Sequence, residues 1–126
     1  MVLPVQDLLA SSSPDGVAEL LARDVEFHSP VADYSGRNDV AHLFATIGRV
    51  LTDVQEVHTY GDGARSASTF TGLVGERVVD GVLTQRLDSR ERLEEATLLL
   101  RPYSALRDAA AQMRAALAAD PLPSQR

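Results

Sequence analysis

Three long strand-like runs follow one another in the second half of the chain, about Arg65 to Gly75, Arg77 to Leu87 and Arg92 to Arg101. They are rich in Val, Leu and Thr, residues that fit a pleated, half-buried surface. Their links, Gly75-Glu76 and Asp88-Ser89-Arg90-Glu91, are short and polar, as a meander requires. Glu91-Arg92 stands where such a turn usually carries glycine, so a positive φ there would come at some cost. Val54 to Tyr60 predicts a preceding strand, joined through the turn Gly61-Asp62-Gly63. Asp24 to Ser29 alternates and stops at Pro30, which predicts a short strand. Its Val25, Phe27 and Ser29 share one face, and Glu26 and His28 the other. Val31 to Gly36 reads as a loop or a short return strand.

Helical spacing takes over elsewhere. Val40, Leu43, Phe44, Ile47 and Leu51 form an apolar stripe of about four turns, with Asn38 as the N-cap. His42 falls off that stripe and is expected to be exposed. Ser104 to Ala119 is Ala-rich, with Leu106, Ala110, Met113 and Leu117 on one side. Val5 to Ala10 predicts one helical turn. Ser13-Pro14-Asp15 opens another, with Ser13 as cap and Val17, Leu20 and Leu21 buried. Asp120 to Arg126, with two prolines, is expected to fray. Strands grouped together between helices argue an α+β fold with an antiparallel sheet, in one domain over residues 1–126.

Composition narrows the function classes. The chain has 126 residues, 44% hydrophobic and 24% charged, which suits one globular core. Trp is absent and aromatics are 5%, so that core must be aliphatic. A net charge of −6 argues against a grip on phosphate backbones, and no nucleic-acid partner is expected. The absence of cysteine removes disulfides and thiolate chemistry, and fits a reducing cytoplasm. MVLPVQDLLASSS lacks the basic start and long apolar run of a signal peptide, and no run approaches a membrane span. A cytoplasmic protein without a membrane partner is the expectation.

Several short motifs occur in a telling order. They are Phe27-His28-Ser29-Pro30-Val31, Gly36-Arg37, Phe70-Thr71-Gly72, Val79-Asp80-Gly81-Val82, Arg86-Leu87-Asp88 and Thr97-Leu98-Leu99-Leu100-Arg101-Pro102. With them the chain resembles the SnoaL-like branch of the nuclear transport factor two-like superfamily, from about Val17 to Met113. The resemblance implies a cone-shaped α+β barrel. A strongly bent, mostly antiparallel sheet wraps around helices and encloses a pocket, with a C-terminal helix. It also implies a homodimer through the outer sheet face, for which Val57, Phe70, Val74, Val78 and Leu99 are the expected residues. Members include steroid isomerases, polyketide cyclases, dehydratases and epoxide hydrolases, so the fold alone selects no reaction.

Ketosteroid isomerases carry a carboxylate base just before the proline of the first strand, and the matching residue here is Ser29. A hydroxyl without an activator is a poor base. The acid that would steady the oxyanion falls at Leu83, and the first helix has no tyrosine. Isomerase chemistry of that design is therefore not expected. The expected pocket lining is apolar: Phe27, Phe44, Leu83, Leu98 and Leu100, with Ser29, Tyr34, Thr69, Thr71 and Gln85 as neutral polar groups. The leading reading is a protein that binds a small apolar ligand. The alternative is an enzyme of the isomerase, cyclase or dehydratase type. Its non-standard base would be His58 oriented by Glu56, two apart on one strand and so on one face, or the Ser29 region. Three histidines without HxH or HxxxH spacing offer no metal set, and neither metal nor cofactor is expected. Arg101 should pair with Asp80, Glu94 or Glu95.

Overall fold

The computed structural model describes residues 2–11 and 13–126. Two short helices, α1 (Val5–Leu9) and α2 (Pro14–Ala18), lead into β1 (Leu21–His28) and β2 (Asp33–Ser35). The long helix α3 (Arg37–Val50) follows, then the strands β3 (Leu51–Gly61), β4 (Arg65–Val74), β5 (Arg77–Leu87) and β6 (Leu93–Arg101), and helix α4 (Tyr103–Ala119). The six strands form one sheet in the order β2-β1-β6-β5-β4-β3. Every neighbouring pair is antiparallel except β1 with β6, which is parallel.

Helix α3 starts two residues earlier than an N-cap at Asn38 predicts. Gly36 takes the N-cap position at φ 92, a conformation that costs glycine little. Asp39 in its first turn and Arg49 in its last suit the helix dipole. Val40, Leu43, Phe44 and Ile47 are buried against the concave side of the sheet. There the rings of Phe27 and Phe44 meet edge-on at 4.6 Å, a contact worth about 1 kcal/mol beyond the area buried. In α4 only Ala105 and Ala109 are fully buried. A pair between Arg77 and Asp108 at 2.6 Å ties that helix to β5, and Arg101 pairs with Asp80 at 3.0 Å.

β5 and β6 follow their expected faces. Val79, Gly81, Leu83 and Gln85 point inward, as do Ala96 and Leu98. β4 does not. Phe70 and Val74, expected on the outer face, are buried on the concave side, and Thr69 and Thr71 point outward. The cause is opposite Phe70, where Gly81 offers no side chain and the ring occupies that space.

Three further expectations need correction. His42 is buried, because its Nε2 reaches the backbone oxygen of Asp120 at 2.9 Å. The tail is docked rather than frayed. Leu122 is buried, Pro123–Gln125 forms a 3-10 turn, and the Ser124 N–H donates to Asp39 at 3.0 Å. Ser13 holds the N-cap position of α2 without a side-chain cap bond.

Candidate functional site

An apolar cleft opens between α3, α4, the end of β6 and the segment after β1. Its volume is about 70 Å³. Leu43, Ile47 and Val50 come from α3, and Leu98 and Leu100 from the inward face of β6. The whole predicted stripe of α4 faces it: Leu106, Ala110, Met113 and Leu117. Ser29, Pro30, Val31 and Tyr34 form the remaining wall. No carboxylate or imidazole is among the lining residues.

Of the residues predicted for a pocket, Ser29, Tyr34, Leu98 and Leu100 come together at this cleft. Phe27, Phe44 and Leu83 are fully buried and fill the deeper interior, so they do not line it. Gln85 is also buried, and its amide is spent on the N-terminal segment. It donates to the Leu3 carbonyl at 2.8 Å and accepts from the Leu3 N–H at 3.2 Å. Thr69 and Thr71 lie on the other side of the sheet. Ser29 falls just past the end of β1. Its Oγ donates to the Ala32 carbonyl at 2.9 Å and accepts from the Val31 and Ala32 N–H groups. That hydroxyl is a turn-former with its hydrogen bonds already made.

His58 and Glu56 do not form the expected pair. Glu56 stands opposite Phe70 and His58 opposite Thr69, although Val57 intervenes on β3. Val57 is thus an extra residue, and such a bulge breaks the rule that residues two apart share a face. Phe70 faces inward and Thr69 outward, so Glu56 and His58 are directed to opposite sides. Glu56 accepts a hydrogen bond from the Val5 N–H at 3.3 Å, at the start of α1. His58 is exposed, 6.0 Å from the ring of Tyr60, and far from Ser29 in the pairing order of the sheet.

His28 points away from the cleft and into a polar cluster that the sequence did not suggest. Its Nδ1 is 2.7 Å from Asp33 Oδ1 and its Nε2 is 3.2 Å from Glu95 Oε2. The bond to Asp33, and then that to Glu95, raise the imidazole pKa above its ordinary value. Arg86 bonds Glu94 at 2.8 Å and Glu95 at 3.3 Å, because an extra residue in β6 at this level brings both within reach of one guanidinium.

A bent six-stranded sheet with helices in its concavity and an apolar cleft beside the last helix defines a small α+β cone. The chain belongs to the SnoaL-like domain family, which matches residues 5–95. No curated protein matches the sequence. Among solved structures, one similar chain is an uncharacterized bacterial protein with a cystatin-like fold from Silicibacter pomeroyi. It is 26% identical at a TM-score of 0.86, over 91% of this chain and 83% of that one. A steroid delta-isomerase from Pseudomonas aeruginosa is 29% identical at a TM-score of 0.81, over 89% of this chain and 85% of that one. A de novo designed protein with a curved β-sheet reaches 0.70 at 12% identity, over 85% of this chain and 91% of that one. The last likeness concerns fold alone. Among the described residues no helix is long and apolar enough to cross a membrane.

Proposed function

We propose that the protein binds a small apolar molecule in the cleft between α3, α4 and β6. The observation that supports this reading is the lining itself, aliphatic on three sides with only the Ser29 and Tyr34 hydroxyls at one wall. About 70 Å³ is well below the roughly 300 Å³ of a common ligand pocket, so a larger guest requires α4 to move. That helix is suited to yield, since only two of its residues are fully buried and Met113 in its stripe is flexible. A cytoplasmic location goes with this reading, supported by the absence of cysteine. So does a homodimer through the outer sheet face, where Val57, Val78 and Leu99 remain more than half exposed.

The isomerase reading is favoured by one observation, the 29% identity to a steroid delta-isomerase. It needs a base in the cleft, and the lining provides none stronger than a hydroxyl. One experiment separates the two. Titration with a series of apolar ketones is expected to give saturable binding that Met113→Trp abolishes by filling the cleft, with no migration of a double bond. Binding untouched by Met113→Trp would sink the ligand reading. Turnover of a β,γ-unsaturated ketone would replace it with the isomerase one.

A further inference from the structure

The outward face of β1 carries side chains that the cleft does not use. Glu26 stands opposite Glu95 across the parallel pairing of β1 and β6, and His28 lies two residues further along the same face. One carboxylate oxygen from each glutamate and one ring nitrogen of His28 lie within 4.8 Å of one another. Like charges directly opposite on one face of a sheet repel. Arg86 relieves Glu95 from one side, but none of the ion pairs among the described residues involves Glu26.

A second layer of contacts already orients these atoms. Asp33 binds His28 at Nδ1, which turns Nε2 toward the glutamates. Arg86 holds Oε1 of Glu95, which leaves Oε2 facing His28. Around bound metals, an imidazole is commonly fixed by a carboxylate on its far nitrogen, and a ligating carboxylate by a donor on its other oxygen. Both elements are present here.

We propose that Glu26, His28 and Glu95 form a site for a first-row divalent cation of the Zn²⁺ class, bound through His28 Nε2 and one oxygen of each glutamate. One imidazole with two carboxylates suits such a borderline ion better than Ca²⁺ or Mg²⁺, which favour oxygen alone. The cation takes the place of the contact between Nε2 and Glu95, and it relieves the repulsion between the glutamates. It joins β1 to β6, beside the Ser29–Tyr34 segment that walls the cleft. Asp33, from that same segment, is a positioning residue.

Metal-free, untagged protein titrated with Zn²⁺ by calorimetry, and with Co²⁺ by visible absorption, tests the site. The expected result is one saturable site per chain at micromolar metal. Glu26→Gln and His28→Gln each weaken it about tenfold or more, and Asp33→Asn weakens it by about ten- to a hundredfold. His58→Gln leaves it unchanged. All four positions are on the surface, and circular dichroism verifies that the variants fold. An absence of saturable binding, or binding that persists unchanged in His28→Gln, overturns the proposal.

Discussion

β4 pairs with β5 over ten consecutive residues, from Arg65 opposite Arg86 to Val74 opposite Arg77, without a break. The same β4 pairs with β3 through two register shifts, one between Thr52 and Gln55 and one between Glu56 and His58. The difference follows from position. β5 has a partner on each side, so an extra residue in mid-strand would disturb two ladders, whereas β3 lies at a sheet edge and has only one; the extra residue of interior β6 falls at its very start, beside the β5–β6 turn. Bulges there increase twist and bend the edge, which is how an open sheet curls into a cone. Alternation therefore reports faces along β5 and loses them along β3. Deleting one residue from each strand tests this most directly. Removing Val82 reverses the faces of half of β5 and is expected to abolish cooperative folding. Removing Val57 takes out only the extra residue, leaves the Glu56–Phe70 and His58–Thr69 pairs in place, and should cost about 1–2 kcal/mol. Urea denaturation followed by circular dichroism measures both. Equal damage from the two deletions would refute the bulge.

The next comparison lies within β4, between its two faces. Phe70→Ala should cost about 3–5 kcal/mol, as expected for a buried ring, while Thr71→Ala should stay within about 0.5 kcal/mol. Gly81→Ala places a methyl group inside van der Waals contact with the Phe70 ring. Its expected cost is about 1–3 kcal/mol through overpacking. Most of that cost should vanish in the Phe70→Ala background, because the clash has a single partner. If the two changes prove additive in denaturation midpoints, the ring is not where the structure places it.

These residues also explain how much could be read from the sequence. The inward faces of β5 and β6 are legible because alternation, unbroken along β5 and from Glu95 onward in β6, carries Val79, Leu83, Ala96 and Leu98 to one side. In β4 the alternation was equally legible but its sign was not, since Leu73 and the threonines compete with Phe70 and Val74. The missing signal was Gly81, a glycine in mid-strand that marks close approach by a large neighbour. The bulges of β3 left no trace of glycine or proline. Asp53 takes φ 50 without either, as aspartate tolerates this region better than most residues. Of the cleft, the α4 stripe and the end of β6 could be found by periodicity. The cluster around His28 could not, because Glu95 reaches it through a parallel pairing across 67 residues of chain. His42 and the tail share one contact, from His42 Nε2 to the Asp120 backbone oxygen, and helical periodicity carries no sign of it across 78 residues.

Smaller effects distinguish the turns at the two ends of β5. At the β5–β6 turn, Asp88 accepts backbone N–H bonds from Arg90 at 2.8 Å and Arg92 at 3.0 Å. The bond from Arg92, with that from Arg90, holds its carboxyl below the usual carboxylate range despite some desolvation. A depressed folded pKa means that the stabilisation is present above the unfolded value and is lost as pH falls through the folded one. Asp88→Ala should therefore destabilise the protein at neutral pH. That loss should disappear in acid below both values, where wild type and variant converge. A difference that persists unchanged into strong acid would assign the effect to packing instead.

The smallest expected change is a gain. Gly75, in the β4–β5 turn, takes φ 61 with a residue suited to it, whereas Glu91 takes φ 62 in the β5–β6 turn with one that is not. The left-handed conformation costs a non-glycine residue about 1–2 kcal/mol. Glycine removes that strain but loses about 0.5–1 kcal/mol to the greater freedom of the unfolded chain. Glu91→Gly should thus stabilise the protein by about 0.5–1 kcal/mol. It also removes a side chain that makes no ion pair among the described residues. The reverse exchange at the other end, Gly75→Glu, should cost a similar amount or more, since open space around Gly75 leaves backbone strain as its main penalty. Opposite signs for the two substitutions, read as shifts in melting temperature, would confirm that the two positions share a left-handed backbone, in turns of different length, and differ in how well their residues fit it.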